Sequence, residues 1–137
     1  MVEEATVRRL LETIEQRLSR LERTADVPLE DYLEDRDLQD IVERNLEVCI
    51  QACIDLGLHL LADFPSPLPE TNRGVFRALL REEVLAAPLA GRLEKMAGFP
   101  TFLAHGYAEV VAERVHATLG HLDDIRAYVA ELEAYLP

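Results

Sequence analysis

The chain has 137 residues, 49 % of them hydrophobic and 29 % charged, which suits one packed domain over residues 1–137 and argues against disorder. A formal net charge of −12 speaks against indiscriminate nucleic-acid binding across the whole surface, while leaving room for a local basic groove. Apolar runs such as Leu56-Gly57-Leu58-His59-Leu60-Leu61-Ala62 fall far short of a membrane span, and no signal peptide is visible behind Met1-Val2-Glu3-Glu4, so a cytoplasmic protein is expected.

In chain order, residues 3–24 place Val7, Leu10, Leu11, Ile14, Leu18 and Leu21 at three- and four-residue steps, the pattern of an amphipathic helix. Pro28 and the acidic run Glu30-Asp31, Glu34-Asp35 are expected to break it. A longer helix is predicted from about Asp37 to Asp63. Its inner face would carry Leu38, Ile41, Val42, Leu46, Cys49, Ala52, Cys53, Leu56 and Leu60. Phe64-Pro65-Ser66-Pro67-Leu68-Pro69 cannot continue a helix and reads as a linker.

A short helix follows over about Asn72 to Glu82. The next begins near Pro88, because proline is welcome in a first helical turn, and turns Leu89, Leu93 and Met96 inward. The last is predicted from about Glu109 to Tyr135, on the spacing of Val111, Val115, Leu119, Leu122, Ile125, Val129, Leu132 and Leu136. No strand-like alternation and no internal repeat is found. The reading is all-α: an antiparallel, up-and-down bundle of four or five helices.

Cys49 and Cys53 stand four apart on one helix. Side chains at that spacing do not point at each other as a disulfide requires, and Cys-x3-Cys without a second pair is a weak zinc signal, so both are expected to be buried small hydrophobes. No metal or cofactor site is expected: phosphate loop, Ser-His-Asp order, paired carboxylates and Cys/His cluster are all missing from the sequence.

The stretch Met96-Ala97-Gly98-Phe99-Pro100-Thr101-Phe102-Leu103-Ala104-His105-Gly106-Tyr107 departs from a plain core helix. Pro100 has no N–H to give and its ring would clash with the Met96 carbonyl, so a kink or restart is expected there. His105 lies near a helix end, where the dipole favours imidazolium, and Tyr107 follows a glycine that helps expose its hydroxyl. On spacing alone the plainer account is that His105 is a helix-terminal polar residue and Tyr107 a half-buried packing residue.

Met96, Ala97, Gly98, Phe99, Leu103, His105 and Tyr107 match the signature Met-Ala-Gly-Phe-Arg-Asn followed by His-x-Tyr, and on these residues the chain resembles the HepT-like toxins of the HEPN superfamily. Arg44-Asn45-Leu46-Glu47-Val48-Cys49-Ile50-Gln51-Ala52 looks like that family's long second helix, and Pro69-Glu70-Thr71-Asn72-Arg73-Gly74-Val75-Phe76 like its proline-led third. The resemblance covers roughly residues 35–135. It implies a helical bundle that forms a homodimer, with the motifs of two subunits lining a cleft at the interface. It also implies metal-independent endoribonuclease activity on RNA and a minimal nucleotidyltransferase antitoxin as partner. Carried over residue by residue, His105 takes the role of general acid/base and Tyr107 that of AMP acceptor.

Two positions depart from the signature. Its arginine falls on Pro100 and its asparagine on Thr101, so a phosphate-binding donor is missing from its usual place. Arg73, Arg77 and Arg81 form a stripe at four-residue intervals, either a solvated face paired with Glu70, Glu82 and Glu83 or a track for an RNA backbone or an acidic antitoxin. Arg92 and Arg114 are further candidates without support from the motif. His59 reads as a core or interface histidine. His116 and His121, five apart and separated by about 500° of helical rotation, do not share a face. The other reading of the whole chain is a catalytically inactive HEPN module that holds a nucleotidyltransferase or a nucleotide.

Overall fold

The structure, a computed structural model, describes residues 3–99 and 108–137. Seven helices are found among the described residues: α1 (Glu4–Glu22), α2 (Leu29–Glu34), α3 (Arg36–Leu61), α4 (Asn72–Arg81), α5 (Ala87–Met96), α6 (Ala108–Leu119) and α7 (Asp123–Glu133). No strand occurs among these residues. The all-α reading holds, with two differences in segmentation.

The first difference is α2. Pro28 does not simply break the chain: it is the N-cap of a six-residue helix that buries Tyr32. The second is the last helix, which is two. The Thr118 hydroxyl donates back to the Arg114 carbonyl (2.9 Å), and the chain turns over Gly120 and His121, whose amides bond to Ala117 and Thr118. Asp123 and Asp124 then favour a new helical start, since carboxylates are stabilising in a first turn.

Helix α3 is the central element. It packs against α1 most extensively and also meets α2, α4 and α6. Because neighbours cover it over a broad arc, Ile50, Ile54 and Leu61 are as buried as the predicted stripe. Ile41, expected on the inner face, is instead 57 % exposed, because it lies just past the edge of that arc. Each fully buried Leu, Ile or Val contributes about 1.5–3 kcal/mol, so this broad coverage makes α3 the main source of core stability.

The helix starts follow local chemistry. Asp35 caps α3 by accepting from the Leu38 amide (3.0 Å), and Thr71 caps α4 by accepting from the Gly74 amide (3.0 Å). Pro88 sits in the first turn of α5, whose preceding Ala86 amide is satisfied by Glu131 of α7 (3.3 Å). The end of α4 is closed by Val84 N–H to the Leu79 carbonyl and Glu83 N–H to the Leu80 carbonyl, with Glu83 in the left-handed region at φ 61°. The linker expected at 64–69 is non-helical and is tied down where Ser66 donates to Glu82 (2.9 Å).

Both cysteines are buried, as expected. A hydrogen bond with Cys49, then burial, push the Cys53 thiol well above its ordinary pKa, which removes it from nucleophilic chemistry. No helix among the described residues is long and apolar enough to cross a membrane.

Candidate nucleic-acid interface

His105 and Tyr107, together with the departures Pro100 and Thr101, lie outside the described residues. The described structure gives the frame on either side of them. Helix α5 stops at Met96, Ala97 and Gly98 make a turn, and helical conformation resumes at Phe99. The break therefore comes before Pro100, as the missing N–H and the clash with residue 96 require. Met96, Ala97 and Phe99 are all buried, so the lead-in to the motif is anchored in the core and its position is fixed by packing.

Three polar contacts hold α5 in place. Arg92 donates to Asp124 of α7 (3.0 Å), Arg77 of α4 pairs closely with Glu94, and Glu131 caps the helix start. The Arg92–Asp124 pair has one nearly buried partner, with side-chain exposures of 51 % and 10 %, so it is screened less than an ordinary surface pair.

Beside the Ala97–Phe99 turn runs a groove of about 710 Å³. Four cations line it: Arg73 and Arg77 from α4, Lys95 from α5 and Arg114 from α6. Thr71 and Asn72, at the start of α4, complete its polar wall, and no carboxylate lines it among the described residues. In a chain with 26 acidic and 14 basic side chains, such a lining is a concentration of positive charge against the overall trend. The start of α4 adds to it, since the first amides of a helix carry partial positive charge and no acidic residue occupies that first turn.

The individual cations are held differently. Arg114 places its guanidinium carbon 5.8 Å from the centroid of the Phe99 ring, a cation–π contact at the edge of the motif. Arg73 lies against the turn: a Cβ on Gly98 would sit 3.5 Å from its Nη2, an ordinary contact distance. Arg77 is partly neutralised by Glu94. A second, smaller groove of about 290 Å³ opens on the other side of Phe99 and shares Lys95 and Arg114 with the first.

The predicted arginine stripe is thus split. Arg73 and Arg77 enter the groove, whereas Arg81 does not line it and lies 3.9 Å from Glu82. Of the expected acidic partners, Glu82 is met by Arg81, while Arg77 turns to Glu94. Arg114, which had no motif support, is brought to the site by α6, and Arg92 is engaged by Asp124. Sequence reasoning missed Lys95. The signal that finds it is its place one position before Met96, on the last turn of the helix that leads into the motif.

The remaining histidines separate as expected. His116 Nε2 is 2.6 Å from the Val27 carbonyl and its ring lies 5.5 Å from that of Tyr32, so it fastens α6 to the segment before α2. His121 is exposed and lines the smaller groove. His59 is half-buried. Among the described residues, no group of three or more His, Cys, Asp or Glu is placed to hold a metal ion.

Comparison with known proteins bears on the same residues. The chain is 31 % identical over 104 residues to an mRNA nuclease HepT of Shewanella oneidensis, covering 75 % of this chain and 78 % of that one. It is 29 % identical over 136 residues to a tRNA nuclease HepT of Aphanizomenon flos-aquae, covering 98 % and 92 %. A crystal structure of a toxin–antitoxin with AMP-PNP superposes with a TM-score of 0.85 at 25 % identity, covering 95 % of this chain and 98 % of the other. The tri-AMPylated Shewanella oneidensis HEPN toxin in complex with its MNT antitoxin gives 0.83 at 26 % identity, over 94 % and 97 %. The ribonuclease HepT-like family model matches residues 14–132, so the chain belongs to the ribonuclease HepT-like family.

Proposed function

We propose that this chain is the RNA-cleaving toxin of a toxin–antitoxin pair, acting as a homodimer and neutralised by a minimal nucleotidyltransferase antitoxin. The observation that carries the reading is that the family match over 14–132 takes in both the His105–Tyr107 motif and the residues of the cationic groove at Ala97–Phe99. Relatives on either side of 30 % identity are nucleases of mRNA and of tRNA, and the matching solved structures are toxin–antitoxin assemblies, one of them AMPylated.

In this reading His105 works as general base and acid in one displacement. Its imidazole takes the proton of a ribose 2′-hydroxyl, the 2′-oxygen attacks the adjacent phosphorus, and the bond from phosphorus to the 5′-oxygen breaks. That leaving oxygen is protonated in turn. An imidazole suits the task because it changes charge near neutral pH, and no metal is needed to balance the step. Tyr107 is the residue that accepts AMP from the antitoxin, which would add a charged, bulky group two positions from the catalytic ring.

The test is cleavage of RNA by purified protein in the presence of a chelator, beside His105→Ala. The variant is expected to be slower by about 10²–10⁴-fold, the usual contribution of a positioned acid–base group. Equal cleavage by the two proteins removes His105 from the chemistry.

One observation favours a second reading, a binding module without catalysis: Pro100 stands where the family signature has arginine. That reading requires the native protein to be silent toward RNA and the double variant Pro100→Arg, Thr101→Asn to gain cleavage.

A further inference from the structure

Pro100 holds no charge where the family signature has arginine, so positive charge for a phosphodiester must come from other residues. We infer that Arg73, Lys95 and Arg114, with the first turn of α4, form the cradle that holds the RNA backbone. This rests on the reading of the chain as an RNA-cleaving protein and names the part of the molecule that binds the substrate.

Three observations carry it. First, the three cations come from three helices, α4, α5 and α6, and converge on one turn, Ala97–Phe99. Surface arginines that only solubilise a helix have no reason to converge on a groove whose described lining holds no carboxylate. Second, the cations at this end of the molecule divide by partner. Arg77 is matched by Glu94, Arg92 by Asp124 and Arg81 by Glu82, whereas Arg73 and Lys95 have no carboxylate within 4.0 Å among the described residues. Exposed charges left unmatched in a strongly acidic chain are suited to an external anion.

Third, the donors differ in kind, and the difference fits a chain of phosphates. Arg114 is steadied by the Phe99 ring, so its guanidinium fork is positioned before a ligand arrives, while Arg73 brings its Nη2 close to the Gly98 turn. Lys95 is a point charge on a long, flexible stem and lines both grooves. The first-turn amides of α4 add fixed partial charge at the same wall. One held fork, a second fork beside the same turn, one adaptable cation and one helix end suit a repeating backbone better than a single small anion.

The measurement is fluorescence anisotropy of a labelled single-stranded RNA against salt, with every protein carrying His105→Ala so that the probe survives. Arg73→Gln, Lys95→Gln and Arg114→Gln are each expected to weaken binding at least fivefold. Each should also lower the slope of log affinity against log salt by about 0.7, the value for one phosphate contact to a single strand. Arg81→Gln, on the same helix but off the groove, and Arg8→Gln, on α1, are expected to stay within twofold of the parent. If a glutamine variant at 73 or 114 fails to fold, Lys95→Gln and the lysine variants at 73 and 114 supply the readout, a lysine keeping the salt slope while losing the fork. Parent-like affinity and slope in the three groove variants overturns the cradle, as does a parent that binds no RNA. A parent that binds through these residues while the His105-bearing protein does not cleave leaves the cradle standing and removes only the catalytic reading.

Discussion

Tyr128 of α7 donates a 2.7 Å hydrogen bond to the Cys53 carbonyl in the middle of α3. Its ring also packs edge-on against Phe76 of α4, with centroids 5.5 Å apart. One turn past Cys53, α3 carries Gly57, where a Cβ would stand 2.7 Å from the Tyr128 hydroxyl and 2.7 Å from Val75 Cγ1. Three helices meet here at a distance that only glycine allows. Gly57→Ala is therefore expected to destabilise by roughly 1–3 kcal/mol through overpacking, beating the up to about 1 kcal/mol that alanine gains over glycine in a helix. Gly91 has nothing within 4 Å of the same position and supplies the contrast: Gly91→Ala should stabilise by about 0.4–1 kcal/mol. Denaturant unfolding of both variants checks the opposite signs.

Glu83 offers a second backbone test. It is the only non-glycine residue with positive φ among the described residues, and it occupies the left-handed position that closes α4. A side chain there costs roughly 1–2 kcal/mol, part of which glycine gives back as unfolded-state freedom. Glu83→Gly is expected to raise stability by up to about 1 kcal/mol, read as a higher urea midpoint with an unchanged slope. A lower midpoint would mean that the Glu83 side chain makes a contact worth more than the strain.

These two positions show where sequence patterning stops being informative. Apolar spacing located α1 and α3 and turned Leu89, Leu93 and Met96 of α5 inward, but it did not find that position 57 must be glycine. That requirement is set by Tyr128 and Val75 on other helices. The pattern put Ile41 on the inner face and left Ile54 off it, yet Ile41 is exposed and Ile54 buried, because only the neighbouring helices decide the edge of the covered arc. The break after Leu119 was hidden because Leu119, Leu122 and Ile125 keep helical spacing across it. The motif was legible as residue identities. Its cationic setting was not, since Arg114 and Lys95 become neighbours only when α5 and α6 are brought together.

Acid should loosen the contact between the two ends of the chain. Arg126 of α7 donates to Glu22 (2.8 Å) and Glu15 (3.0 Å) of α1, and these hydrogen bonds hold both carboxylates below their ordinary pKa of 4.5. Carboxylates with lowered folded-state values add stability above their unfolded pKa and lose it as pH falls through the folded one. All three side chains are more than a third exposed, so after screening each pair is worth at most about 1 kcal/mol. The stability difference between the native chain and Arg126→Ala is expected to be constant above about pH 5 and to vanish below the lowered values. A difference that persists in strong acid would assign Arg126 a packing role instead.

Self-association has its own check. Val110, 48 % exposed, lies on the first turn of α6, three residues past Tyr107. If two copies meet across the motif, that apolar side chain is covered in the dimer. Sedimentation at micromolar concentration should then give a dimer for the native chain and a monomer for Val110→Glu, since burying an unpaired carboxylate in an interface costs several kcal/mol. A native monomer would count against a cleft built from two subunits. A Val110→Glu dimer would place the contact on another face.

The role given to Tyr107 predicts a mass. The related Shewanella oneidensis toxin is AMPylated in its complex with an MNT antitoxin, and here the hydroxyl that matches the family signature is Tyr107. AMP transfer forms a phosphodiester between the tyrosine oxygen and the α-phosphorus of ATP, with pyrophosphate leaving. Co-expression with a minimal nucleotidyltransferase is therefore expected to add AMP-sized increments to the intact protein, and Tyr107→Phe to remove the first of them and with it any further ones built upon it. The modified protein should also bind single-stranded RNA more weakly, because each added phosphate brings negative charge toward the wall formed by Arg73, Lys95 and Arg114. The two readouts separate two faults. Increments that persist in Tyr107→Phe move the acceptor to another hydroxyl. Increments that vanish in the variant, but leave RNA affinity unchanged when present, keep the acceptor and place the modified tyrosine away from the cationic groove.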